Sequence, residues 1–164
     1  HVGLALATLA ARVDFRVTVV DARPEFADPG RFPPGVRTIC GPYAENIEKF
    51  PFDSATYAVI ITPGHVADLD CVRAVLRKTY RYAGFIGSAR KTALLLAQAR
   101  NDGFEAEKVD ALYAPIGLDI NAETPEELAV SILGELIAVR RNSPSLEAAR
   151  VARQARRSPG GRGG

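Results

Sequence analysis

Short apolar runs alternate with stretches of helical period along the first 141 residues. Val2-Gly3 opens a helix whose apolar positions are Leu4, Leu6, Ala7, Leu9 and Ala10, and the β-branched run Arg16–Val20 predicts a strand that stops at Asp21. Ala22 to Gly35 holds four prolines and two glycines and predicts a loop. Val36–Cys40 predicts a second strand, and Glu45–Phe50 a helical turn at most. Tyr57–Thr62 is a buried strand ended by Pro63-Gly64. Leu69, Val72, Val75 and Leu76 then line one side of a helix over about Asp68–Thr79. Tyr82–Ile86 is the next strand, and Gly87-Ser88 turns it into a helix from Ala89 to about Arg100 that stops near Gly103. After an irregular link come Ala114–Ile120 and the best-signalled helix. Its N-cap is Thr124, its first residue Pro125, and Glu127 stands where it completes a capping box. Leu128, Ala129, Ile132, Leu133, Leu136 and Ile137 recur on it at helical spacing. Strands alternating with helices predict a doubly wound, Rossmann-like parallel sheet with helices on both faces, over residues 1–141.

Composition narrows the class. Hydrophobic residues are 47% and charged residues 24% of 164, with no run of about 18 apolar residues that a spanning helix needs. Two cysteines, Cys40 and Cys71, are too few for a disulfide scaffold. They predict a reducing, cytoplasmic setting and two buried apolar fillers. The chain has no methionine and starts at His1 without a signal-peptide pattern, so it reads as a piece beginning inside a longer protein. The net charge of +2 hides an asymmetry: Arg140–Gly164 carries seven arginines and one glutamate, leaving the body acidic. Residues 142–164, rich in Arg, Ser, Pro and Gly, predict a basic disordered tail. No aromatic residue interleaves that charge, so nucleic acid is not an expected partner.

Ligands of open α/β sheets bind at the carboxyl ends of the strands. Four segments fall there: His1-Val2-Gly3, Asp21-Ala22-Arg23, Thr62-Pro63-Gly64-His65 and Gly84–Ser88. A dinucleotide-binding unit reads strand, Gly-x-Gly-x-x-Gly, helix. Gly3 stands where the third small residue of that motif falls, with the first strand and earlier glycines expected upstream. Asp21, 18 residues on, suits a ribose hydroxyl. Gly87-Ser88-Ala89-Arg90-Lys91 combines a glycine, a capping hydroxyl and two cations at a helix start, where free N–H groups attract an oxyanion such as phosphate. His65 and Asp68 are three apart at a strand end and can share a pocket. They lack a third ligand nearby, so no metal site is expected. Asp119 precedes the capped helix as a turn or site acid, and Glu135 stands among apolar neighbours on that helix as a partly buried acceptor or an interface residue.

The stretches HVGLALA (1–7), VTVVDARPEF (17–26), TPGHVADLD (62–70), YAGFIGSARK (82–91) and APIGLDINAETPEELAVSILGELIA (114–138) together resemble the C-terminal Rossmann-type domain of the xanthine dehydrogenase accessory factor (XdhC/CoxI) family. The resemblance implies a chaperone for the molybdenum cofactor (molybdopterin), a pterin dithiolene carrying a phosphate, and not a catalyst of substrate turnover. It implies sulfuration and insertion of that cofactor into a xanthine dehydrogenase-type molybdoenzyme, with a cysteine desulfurase as a second partner. On this reading the phosphate rests on Gly87, Ser88, Arg90 and Lys91. His1, Gly3, Asp21, Arg23, Gly64, His65, Asp68 and Asp119 supply the remaining contacts. Two other readings stay open. Asp21 and the glycine motif suit an NAD(P)-dependent oxidoreductase, although no close Tyr and Lys pair offers a proton relay. The third is a non-catalytic nucleotide-binding scaffold with the helix at 124–141 as a homodimer seam.

Overall fold

Thr124 Oγ1 accepts from Glu127 N at 3.1 Å and the Glu127 carboxylate accepts from Thr124 N at 3.3 Å, so the anticipated capping box is closed. This fixes where the helix Pro125–Arg140 begins in the computed structural model, which describes residues 1–157. In chain order the elements are α1 (Val2–Arg12), β1 (Thr18–Asp21), β2 (Arg37–Cys40), α2 (Tyr43–Lys49), β3 (Tyr57–Ile60), α3 (His65–Leu76), β4 (Tyr82–Phe85), α4 (Ala89–Asn101), α5 (Ala106–Asp110), α6 (Pro125–Arg140) and α7 (Leu146–Arg157).

β1 pairs in parallel with β2, Thr18 opposite Arg37 through Asp21 opposite Cys40. β3 pairs in parallel with β4, Tyr57 opposite Tyr82 through Ile60 opposite Phe85. Tyr113 adds a parallel bridge to Gly84. A Cβ on Gly84 would lie 2.5 Å from the Tyr113 carbonyl oxygen, so glycine is what lets these backbones meet.

The period of two along β3 and β4 divides the interior into two layers. Ala58, Ile60, Ala83 and Phe85 face α3, α4 and α5 and join Leu69, Val72, Val75, Leu76, Leu95 and Val109. Tyr57, Val59 and Tyr82 face the other way, against Leu6 of α1 and Ile132, Leu136 and Val139 of α6. Helices on both faces are the doubly wound arrangement that alternation of elements anticipates. The strands form two separate pairs, β1–β2 and β3–β4, and each fully buried Leu, Ile, Val or Phe contributes about 1.5–3 kcal/mol, so the two layers hold the β3–β4 pair from both sides. Among the described residues no helix is long and apolar enough to cross a membrane.

Four expectations change. Tyr43–Lys49 forms a seven-residue helix where a turn at most was expected, because Pro42 starts it early and its carbonyl accepts from Asn46 N. α3 begins at His65, three residues before the apolar period starts, because the turn at Pro63-Gly64 leads straight into it. The link after α4 contains the short helix α5. The largest change is at the carboxyl end. Leu146–Arg157, expected within a disordered tail, forms α7 and docks on the body. Arg153, Arg156 and Arg157, which look like solvated charge in sequence, donate to backbone carbonyls. Arg157 donates to Ala114 O (2.6 Å) and Leu112 O (2.5 Å), and Arg156 to Gly117 O (3.0 Å). Residues 158–164 of the expected tail lie outside the described residues.

Candidate functional site

The carboxyl end of β1 carries Asp21. Its Oδ1 accepts from Arg23 N (3.0 Å), Arg23 Nε (3.0 Å) and the Tyr43 hydroxyl (3.1 Å), and its Oδ2 from Arg23 Nη2 (3.0 Å). Partial desolvation pushes the carboxyl pKa up. The hydrogen bonds from Arg23 and Tyr43 outweigh it and hold Asp21 below the ordinary aspartate range. Arg23 in turn stacks its guanidinium 3.9 Å from the centre of the Phe26 ring, which Arg31 covers as well. The acid expected for a ribose hydroxyl is therefore already engaged by its own chain.

The end of β3 builds a second cluster. Thr62 Oγ1 donates to Asp68 Oδ1 at 2.5 Å, and Asp68 is wholly buried in the first turn of α3. Lys91, from the first turn of α4, pairs with Asp68 Oδ2. His65 Nε2 lies 3.2 Å from Gln98 Oε1, also on α4. Side chains predicted from two remote segments thus meet: Asp68–Lys91 ties the first turns of α3 and α4, and His65–Gln98 ties the start of α3 to the later part of α4. Gly64 is the N-cap of α3 and offers no side-chain cap.

At the start of α4, Ser88 Oγ accepts from Lys91 N at 3.2 Å as an N-cap. A Cβ on Gly87 would lie 3.2 Å from Lys91 Cδ, so the glycine leaves room for the lysine stem to cross toward Asp68. Of the two cations expected to attract an anion, Lys91 is neutralised by this pair. Arg90 is exposed and makes no ion pair among the described residues.

The other expected residues stand apart from these clusters. His1 occupies the N-cap of α1 without a side-chain cap. A Cβ on Gly3 would meet nothing within 4 Å, so packing gives no reason for glycine there. Asp119 is exposed on the link before α6. Burial lowers the pKa of the Arg156 guanidinium, and the charge of Asp119 opposes that shift. Cys71 is buried, and its desolvation, with Asp68 and Asp70 close, pushes the thiol up to about 12. Cys40 corrects the expectation of two buried fillers: it is exposed, since β2 is paired on one side only and Cys40 is its last residue.

An open crevice of about 620 Å³ lies between the start of α2 (Pro42, Tyr43, Ala44) and the start of α3 (Pro63 to Ala67), with Asp70 also on its wall. Tyr43 connects it to Asp21. A second crevice, about 560 Å³, lies at the opposite ends of α3 and α4 around Arg73, Arg77, Asp102 and Phe104, away from the strands' carboxyl edge. Among the described residues no group of three His, Cys, Asp or Glu could hold a metal ion.

Glu135 is the centre of a polar network that sequence reasoning left half read. It is wholly buried. Its Oε1 accepts from the Tyr82 hydroxyl (2.7 Å) and Gly117 N (3.1 Å), and its Oε2 from Arg153 of α7. An acid at an apolar-face position of α6 was the available signal. Burial, the adjacent Glu135 carboxylate and the hydrogen bond to it push the Tyr82 phenol well above the usual range, against the opposing charge of Arg153.

The chain is similar to known proteins over most of its body. Residues 1–136 match the family model described as the XdhC Rossmann domain. The chain is 31% identical to the uncharacterized protein YqeB of Escherichia coli K12 over 145 residues, covering 88% of this chain and 26% of that protein. It is 32% identical to a probable xanthine dehydrogenase subunit of Bacillus subtilis 168 over 136 residues, covering 83% of this chain and 39% of that one. A crystal structure of a xanthine dehydrogenase from Bacillus halodurans superposes with a TM-score of 0.75 at 32% identity, covering 86% of this chain and 40% of that chain. The chain thus spans between a quarter and two fifths of the length of these relatives.

Proposed function

We propose a function from one premise: this chain belongs to the XdhC Rossmann-domain family. It is the cofactor-holding part of a cytoplasmic accessory factor, which keeps a molybdenum cofactor at the carboxyl edge of the sheet and supports its maturation and insertion into a xanthine dehydrogenase-type enzyme. A cysteine desulfurase serves as the sulfur source on this reading. Two of the relatives carry xanthine dehydrogenase in their names, which supports the choice of partner.

The observation that carries the reading is the joined start of α3 and α4. Asp68–Lys91 holds the first turns of α3 and α4 together, and Arg90, in the first turn of α4, is exposed and makes no ion pair among the described residues. This fits the phosphate end of such a cofactor: backbone N–H groups at the start of α4 and the Arg90 guanidinium bind the anion, and Ser88 orders the turn. Lys91 positions the turn through Asp68 and does not supply the binding charge. When bound, the cofactor supplies the molybdenum and its pterin dithiolene. The residues named here bind and orient it.

The test is to produce the chain together with cofactor synthesis, purify it, and measure molybdenum and pterin. The loaded protein is then mixed with cofactor-free xanthine dehydrogenase. Retention of both, with recovery of xanthine oxidation, is expected. Protein that carries neither overturns the proposal.

One observation favours a second reading, a dinucleotide-dependent oxidoreductase: Asp21 stands at the end of β1, where a ribose acid belongs. Against it, both oxygens already accept from Arg23 and one also from Tyr43. Micromolar NADH binding with hydride transfer would replace the accessory role.

A further inference from the structure

Residues 110–117 offer α7 hydrogen-bonding groups of one kind. Their N–H groups are taken up within the body: Tyr113 N donates to Ala83 O, Ile116 N to Phe85 O and Gly117 N to Glu135 Oε1. Ala114 N turns back to Leu112 O, and Pro115 has no N–H. The carbonyls of Asp110, Leu112, Ala114, Pro115 and Gly117 accept from α7 instead, and the buried Glu135 carboxylate accepts with them. A strip of acceptors without donors selects a side chain with donors alone in a planar fork, which is arginine. Arg153, Arg156 and Arg157 fill it. Apolar contact contributes less. Of the two large aliphatic residues of α7, Leu146 packs on the body at the helix start and Val151 is 55% exposed. The groove thus recognises α7 through its arginines, and an identical helix from another molecule satisfies it equally.

The linker that keeps α7 on its own body is residues 141–145, between the end of α6 and the start of α7. Within it Asn142 stands at φ 49°, in the left-handed region that disfavours a residue with a Cβ. Ser143 folds the chain back, its N donating to Ala138 O and its carbonyl accepting from Leu146 N. The reversal is therefore tight and passes through one unfavourable residue. Short hinges under strain favour exchange of a terminal element between two molecules, because an extended hinge relieves the strain while every docking contact is remade in the other copy. We infer that α7 exchanges between two copies of this chain, giving a dimer in which the Glu135 groove of each copy holds the three arginines of the other's α7. The inference does not rest on the accessory-factor reading.

A short linker gives α7 an effective concentration on the order of 1 mM at its own groove, and the hinge lowers it, so the dimer is expected above about 0.1 mM. The experiment is sedimentation velocity of the full chain from about 0.01 to about 1 mM. In the parent the dimer fraction rises with concentration, and dimer isolated at the upper end returns slowly to monomer on dilution, since α7 must undock first. Closed monomer and exchanged dimer share the same groove contacts and differ in the hinge, so the hinge sets their ratio. Asn142→Val, whose β-branched side chain is ill suited to left-handed backbone, lowers the concentration of half-dimerisation about fivefold or more. Deleting Pro144 and Ser145 keeps α7 from its own groove and makes the chain dimeric even at about 0.01 mM. In that shortened chain Arg156→Ala with Arg157→Ala, which removes carbonyl contacts but keeps Arg153 on Glu135, weakens the dimer about tenfold or more. A parent that stays monomeric across the range overturns exchange. So does a dimer fraction that Asn142→Val leaves unmoved, or a shortened dimer indifferent to the arginine substitutions, since either places the contact on another face. Should the shortened chain fail to fold, the comparison of parent with Asn142→Val decides alone.

Discussion

Glu135 on α6 and Arg153 on α7 form an ion pair inside the protein, with 6% of the arginine side chain and none of the glutamate exposed. The pair closes a network that also takes the Tyr82 hydroxyl and the Gly117 amide. Arg153 also lies over the Tyr113 ring, 4.6 Å from its centre. Two charges out of water are tolerated here because the carboxylate accepts three hydrogen bonds and the guanidinium donates to it and to Pro115 O. The family match ends at residue 136, so the arginine comes from a helix beyond the matched region while the acid lies within it.

Removing one partner exposes the cost of the other. Arg153→Ala leaves a buried carboxylate short of a cation and is expected to destabilise the protein by about 3–5 kcal/mol in urea unfolding. Arg150→Ala, which removes an exposed pair with Glu147, should leave the unfolding curve nearly unchanged. Similar losses for the two variants would contradict the docking of α7.

The two cations at the start of α4 should separate in behaviour. Lys91→Ala strands the buried Asp68 and is expected to cost about 3 kcal/mol of stability. Arg90→Ala, on an exposed side chain, should stay within about 0.5 kcal/mol in stability while lowering molybdenum retention. Unfolding curves and metal content on the same preparations check both. An Arg90→Ala protein that keeps full molybdenum would show that the cation is mere surface.

Asp21 makes the acid limb of stability partly its own. Its carboxyl pKa is lower when folded than when unfolded, so its contribution is full above the unfolded value of about 4 and disappears as pH falls through the folded one. Asp21→Asn should flatten the fall of melting temperature below about pH 4. Arg23 is partly exposed, so the difference at neutral pH should not exceed about 1 kcal/mol. Parallel pH profiles for parent and variant would count against the pair.

The two thiols should react in different states. Cys40 is exposed and should be alkylated in the native protein, whereas Cys71, buried and with its thiol raised to about 12, should react only on unfolding. Because the folded pKa of Cys71 lies above the unfolded one, its contribution to stability is complete below about pH 8.5 and is lost as pH rises toward 12. Mass spectrometry after iodoacetamide with and without denaturant reads the difference.

Much of the site could be placed from the sequence because its residues sit at element ends. Ser88 is an N-cap and Asp21 ends a strand, and both positions follow from local rules about caps and apolar runs. What those side chains touch could not be read that way. Lys91 and Arg90 are adjacent cations at one helix start, yet one is taken by a buried acid 23 residues earlier and the other is free among the described residues. Asp21 looks like an open acceptor until Arg23 and Tyr43 are seen on it.

The sequence alone determined the alternation of strands and helices from α1 to α4 and the capped start of α6. Backbone propensity and the period of side chains act over a few residues and leave their mark there. The tertiary structure decided the pairings of charge: Glu135 with Arg153, Asp68 with Lys91, and the carbonyls of residues 112–117 with the arginines of α7. An arginine-rich stretch has too little apolar surface to announce a docked helix. It is held by buried acceptors that only the folded body brings within reach, so its order is a property of the assembled protein.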